Sequence, residues 1–237
     1  MPGKIITFGH RGAMGYEPEN TLLSFTTAVN MGVDGIELDV YRTLDDQVIV
    51  SHSDSLEIDG HLYRFTKLDL AEIKNIKLDK EQTVPTLDEV FAAMEGLRGG
   101  LLYSIDLKDV RDIDVYHAVL EKYGVADRVF TCFESRLFIK KAQRQFPELT
   151  YVYSTHVNPE GIIEDMDKIE PPLVKVVNIP AEEMKNEFVD AFHARGVQSF
   201  VWNVNEEAQM REIAGWGADA MYSNYPDKLV AALSALE

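Results

Sequence analysis

Short apolar segments alternate with longer amphipathic ones almost to the end of the chain, and no other property of the sequence restricts its fold as much. The apolar segments are KIITFG, GIELDVY, LLYSIDL, RVFTCF, LTYVYS, LVKVVN, VQSFVWNV and ADAMYS. Between and after them run ENTLLSFTTAVNMG, TLDEVFAAMEG, DIDVYHAVLEKYG, SRLFIKKAQRQF, PEGIIEDMDKI, EEMKNEFVDAFHARG, EEAQMREIAGWG and PDKLVAALSAL. Several of these open on Ser, Thr, Asp or Pro and close on Gly, as helix termini do. Thr86 and Glu89 fit a T-x-x-E capping box. Eight such units predict parallel β/α pairing, hence an α/β fold closed as a TIM-type (β/α)8 barrel. A doubly wound open sheet is the competing architecture, but no G-x-G-x-x-G follows the first strand. No linker rich in Gly, Pro or Ser divides the chain, so residues 1–237 read as one barrel domain. The alternation fails over residues 43–85, where DDQVIVSH reads as an extra strand and the rest has no clean period. The expectation is a small insertion after strand two, at about residues 53–85.

A chain of 237 residues with 46% hydrophobic content can fill the core of one such barrel. No apolar run approaches the roughly 20 residues of a membrane span. MPGKIITFGH enters a strand-like segment with no signal-peptide apolar region. The single cysteine, Cys132, excludes an internal disulfide and fits a reducing compartment. These readings predict a cytoplasmic location and no stable membrane insertion. Forty acidic against 23 basic residues leave a formal charge of −17, which opposes binding to nucleic acid or an anionic membrane surface. The sequence leaves the oligomeric state open.

The chemistry of such a barrel sits where its strands end. Those ends carry His10, Arg11 and Gly12 after the first strand, and Glu37 and Asp39 on the second. The extra strand ends on His52, SIDLK carries Asp106 and Lys108 on one face, and WNVN brings Trp202 and Asn203 toward the same mouth. Strand side chains alternate, so in GIELDV the apolar Ile36, Leu38 and Val40 point one way and both carboxylates the other. Glu37, Asp39 and Asp106 require a compensating cation to stay ionised together in a poorly hydrated mouth, and all-oxygen ligation suits Mg²⁺ or Ca²⁺. Arg11 offers a planar fork suited to phosphate, and Lys108 a point charge. His10 and His52 are suited to give and take a proton near neutral pH. Taken alone, ELD reads as a solvated edge and His52 as a rim histidine; their convergence at matching strand ends favours chemistry. His61, His117, His156 and His193 read as structural or surface residues, and Cys132 as a small buried hydrophobe.

At these residues the chain resembles the glycerophosphodiester phosphodiesterase family. GHRG, PENT, GIELDV, VIVSH, VPTLDEV, SIDLKD, QSFVWNVN and YSNYPD stand in the family's order over essentially the whole chain. The resemblance implies a barrel with an insertion after strand two and metal-dependent hydrolysis of glycerophosphodiesters to glycerol 3-phosphate and an alcohol. It implies an acid–base pair in His10 and His52, and metal ligands in Glu37, Asp39 and Asp106. Arg11 and Lys108 fall where phosphate is contacted, and Trp202 at the substrate mouth. The implied partner is a small glycerophosphodiester, and the implied setting is lipid and glycerol metabolism. The chain departs from the family's pattern in two places. Ser53 follows the second histidine where Asp is usual, and strand three reads Ser104, Asp106, Lys108 rather than Asn-x-Glu-x-Lys. Two alternatives stay open: lysophospholipase D-type cleavage of lysophospholipids, and a non-catalytic phosphoester-binding barrel.

Overall fold

The computed structural model describes residues 4–155, 159–166 and 174–236; His156 lies outside them. Strand β1 (Ile6–Gly9) leads through α1 (Leu22–Asn30) to β2 (Gly35–Arg42). The insertion then contributes β3 (Val48–Val50), β4 (Ser55–Ile58), β5 (His61–Arg64) and the single turn α2 (Leu70–Ile73), and ends at α3 (Leu87–Leu97). Regular alternation resumes with β6 (Leu102–Leu107), α4 (Ile113–Tyr123), β7 (Val129–Phe133), α5 (Arg136–Gln145), β8 (Thr150–Ser154) and α6 (Pro159–Met166). It closes with β9 (Val176–Pro180), α7 (Asn186–His193), β10 (Gln198–Trp202), α8 (Glu207–Trp216), β11 (Ala220–Ser223) and α9 (Pro226–Ser234).

Eight parallel strands run in the order β1, β11, β10, β9, β8, β7, β6, β2, and a further pairing of β1 with β2 closes the ring. This is the (β/α)8 barrel expected from the eight repeats. β3 extends it, antiparallel to β2, with Val40 opposite Val50 and Arg42 opposite Val48. The alternation of β2 works as its sequence dictates. Ile36, Leu38 and Val40 are fully buried in the layer between barrel and helices, with Phe25, Ala28 and Phe91. Each such burial stabilises by about 1.5–3 kcal/mol, which helps offset the cost of aiming Glu37 and Asp39 into the barrel. Gly35 is required at the start of the strand, because a Cβ there would lie 2.4 Å from the Leu102 carbonyl oxygen and 2.6 Å from the Phe8 ring.

The lumen is filled rather than hollow. Phe8, Phe130, Phe200 and Tyr222 pack ring to ring, with Phe8 stacked on Tyr222 at 4.8 Å and Phe130 edge-on to Phe200 at 5.1 Å. This aromatic cluster fills the barrel interior, where Phe130 lies opposite Ser104, the partner of Glu37 in the β2–β6 register. The insertion has its own small core, in which Ile49, Phe65, Ile73, Ile76 and Val84 are buried. Its hairpin turns at Asp59 and Gly60, both at positive φ, and the Phe65 N–H closes the base by donating to the Asp54 carbonyl at 2.8 Å. The capping box at α3 is present, with Thr86 Oγ1 accepting from the Glu89 N–H and Glu89 accepting from the Thr86 N–H. His117 and His193 pair with Glu148 and Asp219 outside the barrel mouth, and His61 lies on the exposed hairpin.

Candidate active site

The turn after β1 puts two functional side chains side by side. Gly12 has φ +82°, and a Cβ on it would lie 2.4 Å from Ser24 Oγ, so the turn can sit tightly on the start of α1 only with glycine there. His10 is held by the end of the last strand: its N–H donates to the Ser223 carbonyl, and its Nδ1 donates to Asn224 Oδ1 at 2.7 Å. That bond leaves the lone pair on Nε2, which lies 3.9 Å from Glu37 Oε2. Burial, reinforced by the charge of Arg11, lowers the imidazole pKa to about 4, so His10 is neutral at neutral pH.

Three carboxylates meet opposite this histidine. Glu37 Oε2 accepts the Arg11 N–H at 2.7 Å. Asp39 takes the Lys108 ammonium at 2.5 Å and the Asn20 amide at 3.1 Å, with Arg11 Nε at 3.5 Å. Asp106 lies across from Asp39 in the β2–β6 register and accepts from the same ammonium at 3.2 Å. Their proton affinities diverge. Burial, followed by the charges of Asp39 and Asp106, pushes Glu37 well above the ordinary carboxylate range. Asp106 is raised by burial against the pull of Lys108. Burial also works against ionised Asp39, but Lys108, Arg11 and Asn20 together hold it below its usual value. The Lys108 ammonium is in turn raised, the two aspartates outweighing its burial.

One oxygen from each of the three carboxylates lies within 4.8 Å of the others. Three carboxylates face two fixed cations, Arg11 and Lys108, and Glu37's pKa is raised first by its burial and then by the charges of Asp39 and Asp106. Clustered hard oxygen donors carrying excess charge fit Mg²⁺ or Ca²⁺. Cys132 sits beside Asp106 in register and shares a hydrogen bond with it, nearer the cluster than its sequence position suggests. Burial and the Asp106 charge raise its thiol well above the usual range, so it stays protonated and offers no soft thiolate.

All eight side chains singled out in the sequence line one open cleft of about 530 Å³: the residues above, His52 beyond the end of β3, and Trp202 at the end of β10. Asn203 does not line it. Sequence reasoning assigned no role to Asn20, which braces Asp39, to Glu19, which pairs with Arg11 at 3.0 Å, or to Asn224. All three stand in PENT and YSNYPD, which carried the resemblance, and that was the available signal. Glu134 and Asn178 also line the cleft, and their strand-end positions were the only hint.

The sequence model of the Glycerophosphoryl diester phosphodiesterase family matches residues 10–228. A glycerophosphodiester phosphodiesterase of Bacillus altitudinis is 28% identical over 94% of this chain and 96% of its own. The human protein named lysophospholipase D GDPD1 is 24% identical over 93% of this chain and 83% of its own. Among solved structures, an Oleispira antarctica phosphodiesterase in complex with the product sn-glycerol-3-phosphate superposes with a TM-score of 0.86. The two are 23% identical, and the match covers 97% of this chain and 96% of the other. That likeness is one of fold.

Proposed function

The chain belongs to the glycerophosphoryl diester phosphodiesterase family, and from that premise we propose that it hydrolyses soluble glycerophosphodiesters to glycerol 3-phosphate and an alcohol. The observation that carries this reading is the convergence of two histidines, three carboxylates, Arg11 and Lys108 on one cleft. Glu37, Asp39 and Asp106 would hold the cation, which when bound supplies Lewis-acid stabilisation of phosphoryl oxygen charge. The mutual repulsion of the carboxylates, which together with burial raises Glu37, supports the assignment.

His10 is held neutral with Nε2 unprotonated, and so acts first as base, taking the proton of the glycerol hydroxyl as that oxygen attacks phosphorus. His52 gives a proton to the departing alcohol oxygen. The cyclic phosphate so formed is opened by water with the two roles reversed, leaving glycerol 3-phosphate. Arg11 and Lys108 orient the non-bridging oxygens and stabilise the charge that develops there. Trp202 forms the wall that confines the glycerol end. No helix among the described residues is long and apolar enough to cross a membrane, and a cytoplasmic site of action fits the single, buried thiol.

The name of the human relative favours a second reading, cleavage of lysophospholipids as a phospholipase D. It needs an apolar groove, for which the insertion is the natural source. Leu56, Ile58 and Tyr63 instead pack against the insertion's own core, Phe65 is buried in it, and Leu62 alone of the five stands 60% exposed. The soluble diester is the better fit. The test is incubation with glycerophosphocholine or glycerophosphoethanolamine and Mg²⁺ or Ca²⁺, with detection of glycerol 3-phosphate. His10→Ala and His52→Ala are each expected to lose about 10²–10⁴ in rate. Near-normal turnover in either variant would sink the acid–base assignment. Binding without product would identify a non-catalytic barrel, and faster cleavage of lysophosphatidylcholine would establish the second reading.

A further inference from the structure

A larger pocket of about 1080 Å³ opens beside the catalytic cleft and shares with it His52, Asp106, Lys108 and Glu134. The steps above leave it unused. Its own wall is Tyr41 near the end of β2, Leu107, Cys132 and Phe133 at the end of β7, Ser135, and Phe138 in the first turn of α5. The Phe133 and Phe138 rings meet at 84° with centroids 6.2 Å apart, forming an aromatic corner. Glu134 follows Phe133 directly, is exposed, and makes no hydrogen bond or ion pair with another described residue. The other fixed charges on this wall are already matched, since Lys108 holds both Asp39 and Asp106.

Aromatic faces beside an uncommitted carboxylate complement a cation. They fit an acyl chain poorly, because the chain would desolvate Glu134 without offering it a partner. A polyol could use the rings but would leave the charge unmatched. His52 lines both spaces, so an alcohol leaving the cleft past its proton donor enters this pocket.

We propose that this pocket is the leaving-group subsite and that it selects a cationic amino alcohol, with Glu134 as the ionic partner and Tyr41 and Phe138 as the ring wall, Phe138 backed by the buried Phe133. The inference rests on the diesterase reading and deepens it by naming the class of alcohol.

The experiment measures kcat/KM for glycerophosphocholine and for glycerophosphoglycerol, whose leaving alcohol is neutral, and follows their ratio. The wild-type protein should favour the cationic substrate. Glu134→Gln and, separately, Phe138→Ala should each lower the ratio roughly tenfold, mainly through KM for the choline diester. Rising ionic strength should narrow the wild-type ratio and leave that of Glu134→Gln flat. Turnover of both diesters with no preference, or a ratio unmoved by Glu134→Gln, overturns the subsite while leaving the diesterase reading intact. Absence of turnover on either diester brings down both.

Discussion

Glu37 and Asp39 share one face of one strand, yet the fold pushes their proton affinities in opposite directions, and this makes them separable by mutation. Glu37 is raised, so the folded protein keeps a proton that the unfolded chain releases above about pH 4.5. Its contribution to stability is complete below that pH and is lost as pH rises toward the folded value. Asp39 is lowered, and its contribution is present above its unfolded pKa and lost as pH falls through the folded one. In metal-free protein at neutral pH, Glu37→Gln should therefore raise the denaturant midpoint, since the amide oxygen can still accept the Arg11 N–H. Asp39→Asn should lower stability by about 3–5 kcal/mol, because it leaves Lys108 and Arg11 without their shared partner. Equal effects in the two variants would contradict the charge balance described here. His10 adds a second pH signature. With its folded pKa near 4, stability is whole above about pH 6.5 and declines by about 3 kcal/mol as pH falls to 4. Unfolding of Glu37→Gln across that window should show the decline uncompensated, and a flat profile would place a proton on His10 in the fold. The residue types and their strand ends were legible in the sequence. The tautomer of His10 was not, because Asn224 meets it only through the pairing of the first strand with the last.

At the scale of elements, periodicity revealed the eight repeats but lost the hairpin of the insertion. The turn signal was present, since Asp59 and Gly60 form a two-residue loop with positive φ at both positions, between paired Ile58 and His61. The strands on either side are four residues long, too short for alternation to register. Leu56, Ile58 and Tyr63 face the insertion's private core rather than the barrel, so their spacing follows a local cluster. That cluster also anchors Ile49 on β3, the strand that leads into His52. Phe65 is 1% exposed at its centre, and Phe65→Ala should cost about 3–5 kcal/mol. Its functional signature should be selective: a lower kcat through a looser His52, with the metal concentration for half-maximal activity unchanged, because Glu37, Asp39 and Asp106 lie on β2 and β6. A parallel loss of metal affinity would show that the insertion supports the whole cleft.

At the scale of the molecule, the pairing of β2 with β6 assembles the three carboxylates proposed to hold the cation, and net charge bears on how its binding is detected. Eight repeats made closure legible before any coordinate, whereas the Lys108 ammonium bridging Asp39 and Asp106 could not be read from spacing. Only the folded barrel brings β2 and β6 side by side, so a cation that binds the three carboxylates binds the native state and stabilises it by RT ln(1 + [L]/Kd), about 2.7 kcal/mol at a hundredfold excess over Kd. For a chain of this length that is a rise in Tm of roughly 5–10 °C. The formal charge of −17 offers a competing explanation, because any added salt screens self-repulsion and also raises Tm. The two separate cleanly. Screening should grow steadily with NaCl, respond little to pH near neutrality, and survive mutation of the cluster. Site binding of Mg²⁺ or Ca²⁺ at matched ionic strength should saturate and weaken as pH falls. Both Glu37 and Asp106 have raised pKa values, and each must lose its proton to act as a ligand. The saturating part should vanish in Glu37→Gln and Asp106→Asn while the NaCl response remains. A saturating shift that persists in both variants would move the cation elsewhere on this acidic surface.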